Sequence, residues 1–138
     1  MKVIVILGEN DTGKTTVLKK LVEILLDSGA RHKCAPTELH NPDGDEDYML
    51  SYKGYDIVIC TIGDFRKGLE QNCDKHYNNC DMFIGAARAS FVSTNEVVCK
   101  YDNIGTMVLL RKEDFYETYH TKVSSYLKEL IDLRLNGI

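Results

Sequence analysis

Gly8-Glu9-Asn10-Asp11-Thr12-Gly13-Lys14-Thr15 sets two glycines, a lysine and a hydroxyl at the spacing G-x-x-x-x-G-K-[ST]. That spacing suits the oxygens of a polyphosphate. Gly8 lets the chain leave a strand in a tight turn, and Gly13 lets the backbone approach an anion with no Cβ in the way. The N–H groups of Asn10, Asp11, Thr12 and Gly13 then form a concave nest at the positive end of a following helix, which Thr15 and Thr16 begin. Lys14 is expected to reach the β- and γ-phosphates of a nucleoside triphosphate, and the Thr15 hydroxyl to ligate Mg²⁺. A bare turn would leave Lys14 as a positive charge at a helix N-terminus, where the macrodipole disfavours it. Glu9 and Asp11 add two carboxylates to an anion-binding loop, so they must point away from the phosphates or toward the metal or the attacking group.

The elements that must hold this loop follow from the pattern of apolar residues. Val3–Leu7 reads as the entering strand, and Thr15–Ser28 as a helix with a wide stripe of Val17, Leu18, Leu21, Val22, Ile24, Leu25 and Leu26, closed by Gly29. Arg31–Ala35 is a weak strand. Pro36–Ser51, with Asp43, Asp45, Glu46 and Asp47 around a Pro-Asp-Gly turn signal, reads as an acidic, mobile loop. Ile57–Ile62 is a continuous apolar run of the kind found in central parallel strands. Phe65–Tyr77 reads as a helix, Asp81–Ala87 as a strand, and Glu96–Lys100 as a strand within the ambiguous stretch Ser90–Gly105. Thr106–Leu110 is a further strand and Lys112–Leu135 a long closing helix. Alternating strands and helices predict an α/β fold: a three-layer α/β/α sandwich on a mainly parallel sheet of about five strands, forming a single domain over residues 1–138.

In that architecture ligands sit at the carboxyl ends of the strands. Asp56 and Asp81 lie at entry ends and are set aside, whereas Asp64 follows the exit of the Ile57–Ile62 strand. If that strand neighbours the first, Asp64 is the second metal-directed carboxylate, with helix capping as its other role. Arg66 and Arg88 lie at strand exits and are the cations expected to steady charge on a transferring phosphoryl group or to grip an anionic acceptor. Cys73, His76 and Cys80 fall on one helical face, yet no fourth zinc ligand accompanies them, and Asn78-Asn79 ends the helix before Cys80. The expectation is therefore a half-buried cysteine and a surface histidine.

Composition sets further bounds. The net charge of −4 comes with no basic stripe, which argues against sequence-independent nucleic-acid binding. The apolar runs are too short to span a bilayer, and the start of the chain does not read as a secretory signal. An odd set of 5 scattered cysteines fits a reduced, cytoplasmic interior.

With the loop, Asp64 and the strand–helix alternation assembled, the chain resembles the P-loop nucleoside-triphosphatase superfamily. The motif likeness covers the first strand, loop and helix, and architecture carries the rest. The resemblance implies that Gly8, Asn10, Asp11, Thr12, Gly13, Lys14, Thr15 and Thr16 bind ATP, and that Thr15 and Asp64 serve Mg²⁺. It implies γ-phosphoryl chemistry with Lys14, Asp64, Arg66 and Arg88 as the catalytic set. No N/T-K-x-D motif follows the Asp81–Ala87 strand, which argues against a Ras-type GTPase. Gly63-Asp64-Phe65-Arg66 is similar to the acidic-plus-arginine strand exit of small nucleotide kinases, although Ser90–Gly105 offers only Lys100 where those enzymes carry an arginine-rich lid. The leading expectation is a small kinase or ATPase acting with an unidentified acceptor. The alternative is a non-catalytic nucleotide switch acting through a partner protein, and either can work within an oligomer.

Overall fold

Seven strands form one mixed sheet in a computed structural model that describes residues 1–9, 13–35, 37–38, 46–61, 68–88, 94–102, 104–110 and 117–136. In chain order the elements are β1 (Lys2–Leu7), α1 (Lys14–Asp27), β2 (Arg31–His32), β3 (Thr37–Glu38), β4 (Glu46–Tyr52) and β5 (Tyr55–Cys60). There follow α2 (Gly68–His76), β6 (Met82–Ala87), α3 (Thr94–Tyr101), β7 (Thr106–Leu109) and α4 (Glu117–Leu135). Strands run in the order β2-β4-β5-β6-β1-β7, with β3 also paired to β4. The run β5-β6-β1-β7 is parallel, while β2, β3 and β5 pair antiparallel with β4. The fold is thus α/β as expected, on a sheet wider and more mixed than the sequence indicated.

Strand β1 is buried on both of its faces. Its side chains alternate, and Val3, Ile4, Val5 and Ile6 are all fully buried. Ile4 and Ile6 join a core with Leu18, Leu21 and Leu25 of α1 and Leu127 and Ile131 of α4. Val3 and Val5 join another, with Leu69 and Cys73 of α2 and Val98 of α3. Burial of such side chains stabilises by roughly 1.5–3 kcal/mol each.

Local chemistry sets the ends of these elements. Gly29, at φ 103°, lets α1 stop in a left-handed turn in which Gly29 N–H donates to the Leu26 carbonyl and Ala30 N–H to that of Leu25, at 3.2 and 2.9 Å. Lys53 and Gly54, at φ 52° and 82°, make the tight turn that joins β4 to β5.

Two expectations are corrected. Glu46–Ser51 belongs to β4 rather than to a loop, because Tyr48, Leu50 and Tyr52 bury against the core. Thr94–Tyr101 is a helix, not a strand: Val98 is buried on the β1 side while Glu96, Cys99 and Lys100 face outward. No helix among the described residues is long and apolar enough to cross a membrane.

Candidate functional site

Both edges of β1 are paired, which fixes where the glycine loop starts. Gly8 N–H donates to the Ala87 carbonyl at 3.1 Å, and Leu110 N–H donates to the Leu7 carbonyl at 2.7 Å. The chain therefore leaves the sheet at Gly8 from between β6 and β7, at the carboxyl edge where parallel sheets present ligands. It re-enters regular structure at Gly13, whose φ of 86° and ψ of 21° lie in the left-handed region. Val17 N–H donates to the Gly13 carbonyl at 2.8 Å and opens α1. As N-cap residue, Gly13 supplies no side-chain acceptor, and no acidic residue stands in the first helical turn.

Lys14 is buried, and its Nζ donates to the carbonyls of Gly8 and Glu9 at 2.7 and 2.9 Å. A buried ammonium is costly unless hydrogen-bonded, and these carbonyls at the exit of β1 hold it over the loop's first residues. Thr15 is half-buried and Thr16 exposed, both on the first turn of α1. Asn10, Asp11 and Thr12 lie outside the described residues.

Of the cations read from the sequence, Arg88 comes beside the loop. It directly follows Ala87, the residue whose carbonyl receives the Gly8 amide, and it is half-buried. Arg66 and Asp64 lie outside the described residues. The adjacency on which Asp64's metal role depended is not met: β6 separates β5 from β1, so β5 does not neighbour the loop strand. Asp56 and Asp81 stand at the opposite edge as expected, where the Asp81 carboxylate accepts the Asp56 amide at 2.7 Å.

His120 is a site neighbour that sequence reasoning overlooked. It is buried on α4, and its imidazole lies so close to Gly13 that an added Cβ would stand 2.4 Å from Nε2. Ser124, one turn later, steadies this placement, its hydroxyl sharing one proton between the carbonyls of Val17 and His120 at 2.9 and 2.8 Å. A lone histidine in a long helix carries no local signal of this contact, which joins residues far apart in the chain.

The cysteine–histidine face also differs from expectation. The helix does end at His76, before Cys80. His76, however, is buried rather than on the surface, and its ring stacks on Phe83. Cys73 is fully buried, and burial pushes its thiol up to about 12. Cys80 donates to the His76 carbonyl at 3.4 Å.

Comparison of the chain with family models, with curated proteins and with solved structures gives no match.

Proposed function

We propose that residues 8–16 bind a magnesium–nucleoside triphosphate, with ATP as the expected nucleotide, and that the chain moves the γ-phosphoryl group to an acceptor or to water. The observation that carries this reading is the posture of Lys14, a buried ammonium held by the Gly8 and Glu9 carbonyls within a G-x-x-x-x-G-K-T loop. Exchanging a neutral carbonyl for a phosphate oxygen sets an anion opposite the ammonium, so that the hydrogen bond carries charge on both sides. The amides at the start of α1, which Gly13 leaves without a side-chain cap, suit the same anion. Arg88, beside Gly8, suits charge that builds on the transferring group.

Thr15 is the described residue whose hydroxyl fits Mg²⁺, a hard cation that prefers oxygen donors. Bound Mg²⁺ would neutralise charge on the β- and γ-oxygens. The chain's own share is positioning and electrostatics: the loop orients the triphosphate, and Lys14 and Arg88 carry positive charge to it. The finer architecture that goes with this reading is a three-layer α/β/α sandwich of the P-loop type, with α1 and α4 on one face and α2 and α3 on the other.

Calorimetric titration of wild type and Lys14→Ala with ATP and ADP in the presence of Mg²⁺ tests the reading. Loss of at least about tenfold in affinity, with an unchanged far-UV spectrum, is expected for removing a charged phosphate contact. Equal affinity in the two proteins overturns it. Tight ATP binding with neither phosphate release nor transfer would replace the enzyme with the nucleotide switch.

A further inference from the structure

We infer that Asp47, Cys60 and His76 form a transition-metal site, best suited to Zn²⁺ and separate from the glycine loop. Asp47 on β4 stands directly opposite Cys60 on β5 in the antiparallel register, and His76 closes α2 over the same face of the sheet. One ligand atom from each residue lies within 4.8 Å of the others, and all three residues are buried. Tetrahedral ligands at about 2.0–2.3 Å from zinc stand about 3.3–3.8 Å apart, so small side-chain rotations bring this set into coordination.

A second observation points to a ligand. Asp47 Oδ1 and His76 Nε2 are buried with no hydrogen-bond partner among the described residues, although Asp47 and His76 are only 3% and 1% exposed. Buried polar atoms are normally paired, because leaving one unmade costs roughly 1–3 kcal/mol. His76 Nε2 and Asp47 Oδ2 stand 4.0 Å apart, too far for a hydrogen bond and close to the separation of two ligands on one metal. Lys75 reaches Asp47 Oδ2 at 3.3 Å from a largely exposed position, which offsets the carboxylate's charge without satisfying Oδ1.

The donor set selects the metal. Thiolate, imidazole and carboxylate together suit Zn²⁺ and are poor partners for Mg²⁺ or Ca²⁺, which want oxygen alone. On binding, the Cys60 S–H bond breaks, its proton leaves to solvent and a sulfur–metal bond forms. The two ligand charges from Asp47 and Cys60 would then balance the dication, with His76 neutral. The Phe83 ring, stacked on His76 at a centroid distance of 6.4 Å, steadies the imidazole. The metal would clip the end of α2 to the β4–β5 hairpin.

The probe is Co²⁺, added to the reduced, metal-stripped full chain. Binding of one equivalent with a thiolate-to-cobalt charge-transfer band, bleached by Zn²⁺, is expected, along with a higher melting temperature in Zn²⁺. Cys60→Ser should abolish the band, and a double Cys34→Ser, Cys99→Ser variant, lacking the two exposed thiols, should retain it. The wild-type stoichiometry and melting shift need no variant, so poor folding of Cys60→Ser does not weaken the test. Absence of a band in excess Co²⁺, or a band that survives Cys60→Ser, overturns the site. None of these readouts involves nucleotide.

Discussion

The imidazole of His120 lies against Gly13, so that a methyl group at Gly13 would stand 2.4 Å from Nε2 and 2.6 Å from Cε1. Gly13 is therefore constrained twice, by its φ of 86° and by a buried neighbour from the far end of the chain. Gly13→Ala is expected to destabilise by about 1–3 kcal/mol, because a left-handed non-glycine residue and a steric overlap combine there. In a His120→Ala background the steric part should vanish while the backbone part remains. Urea denaturation of the four proteins should give a coupling of at least about 0.5 kcal/mol. Purely additive losses would show that the two residues do not press on each other.

Arg134 and Asp102 form a buried ion pair between α4 and the segment after α3, in which Asp102 Oδ2 also accepts the Val3 amide at 2.9 Å and Arg134 Nη1 donates to the Ile104 carbonyl at 2.7 Å. Arg134→Met would leave the Asp102 carboxylate buried without its cation. A loss of about 3–5 kcal/mol is expected, as for other broken buried pairs, and Asp102→Asn in the same chain should restore part of it. A shift in unfolding free energy below about 1 kcal/mol would mean that solvent already screens the pair.

The Asp132 carboxylate draws hydrogen bonds from Tyr52 at 2.7 Å and Lys53 at 3.0 Å, and Lys128 pairs with it at 3.1 Å. Burial alone would raise its pKa, but these donors together outweigh burial and hold it below the usual carboxylate range. A group whose folded pKa is depressed contributes stability that is full above its unfolded pKa, near 4, and is lost as pH falls through the lower folded value. Melting temperature should therefore decline more steeply with acidification in wild type than in Asp132→Asn. Parallel curves below pH 4 would remove Asp132 from the acid response.

The first strand, the first helix and its end were legible because their signals are local: an apolar run, a helical stripe and a terminating glycine. Strand β4 was not, because its acidic Asp47 reads as loop chemistry until His76 and Lys75, about thirty residues on, are packed against it. Glu96–Lys100 read as a strand within an ambiguous stretch, whereas Val98 buried toward β1 with Glu96, Cys99 and Lys100 exposed fits the helix that forms there. The order of the sheet was hidden for a like reason. Two apolar strands, Ile57–Ile62 and Asp81–Ala87, compete equally in sequence for the place beside β1, and the latter takes it. That exchange moves attention at the loop from Asp64 to Arg88.

Arg88 accordingly offers the sharpest test of what the loop does. It follows the residue whose carbonyl anchors Gly8, so its backbone stands beside the start of the loop, whereas Lys14 sits within the loop itself. Removal of an arginine that acts on charge developing during transfer lowers kcat with little change in nucleotide affinity, while removal of a ground-state contact does the reverse. Ser90–Gly105 carries no arginine-rich lid, and water exclusion is what allows a kinase to favour its acceptor. Slow ATP hydrolysis by wild type is therefore expected, and Arg88→Ala should cut turnover by at least about tenfold while the ATP dissociation constant changes less than about threefold. Arg66→Ala, measured beside it, separates the two strand exits that the sequence ranked alike. If a nucleoside monophosphate is phosphorylated rapidly by the double Arg66→Ala, Arg88→Ala variant, neither arginine carries the transfer. In that case the charge must be met by Lys14 and the metal alone.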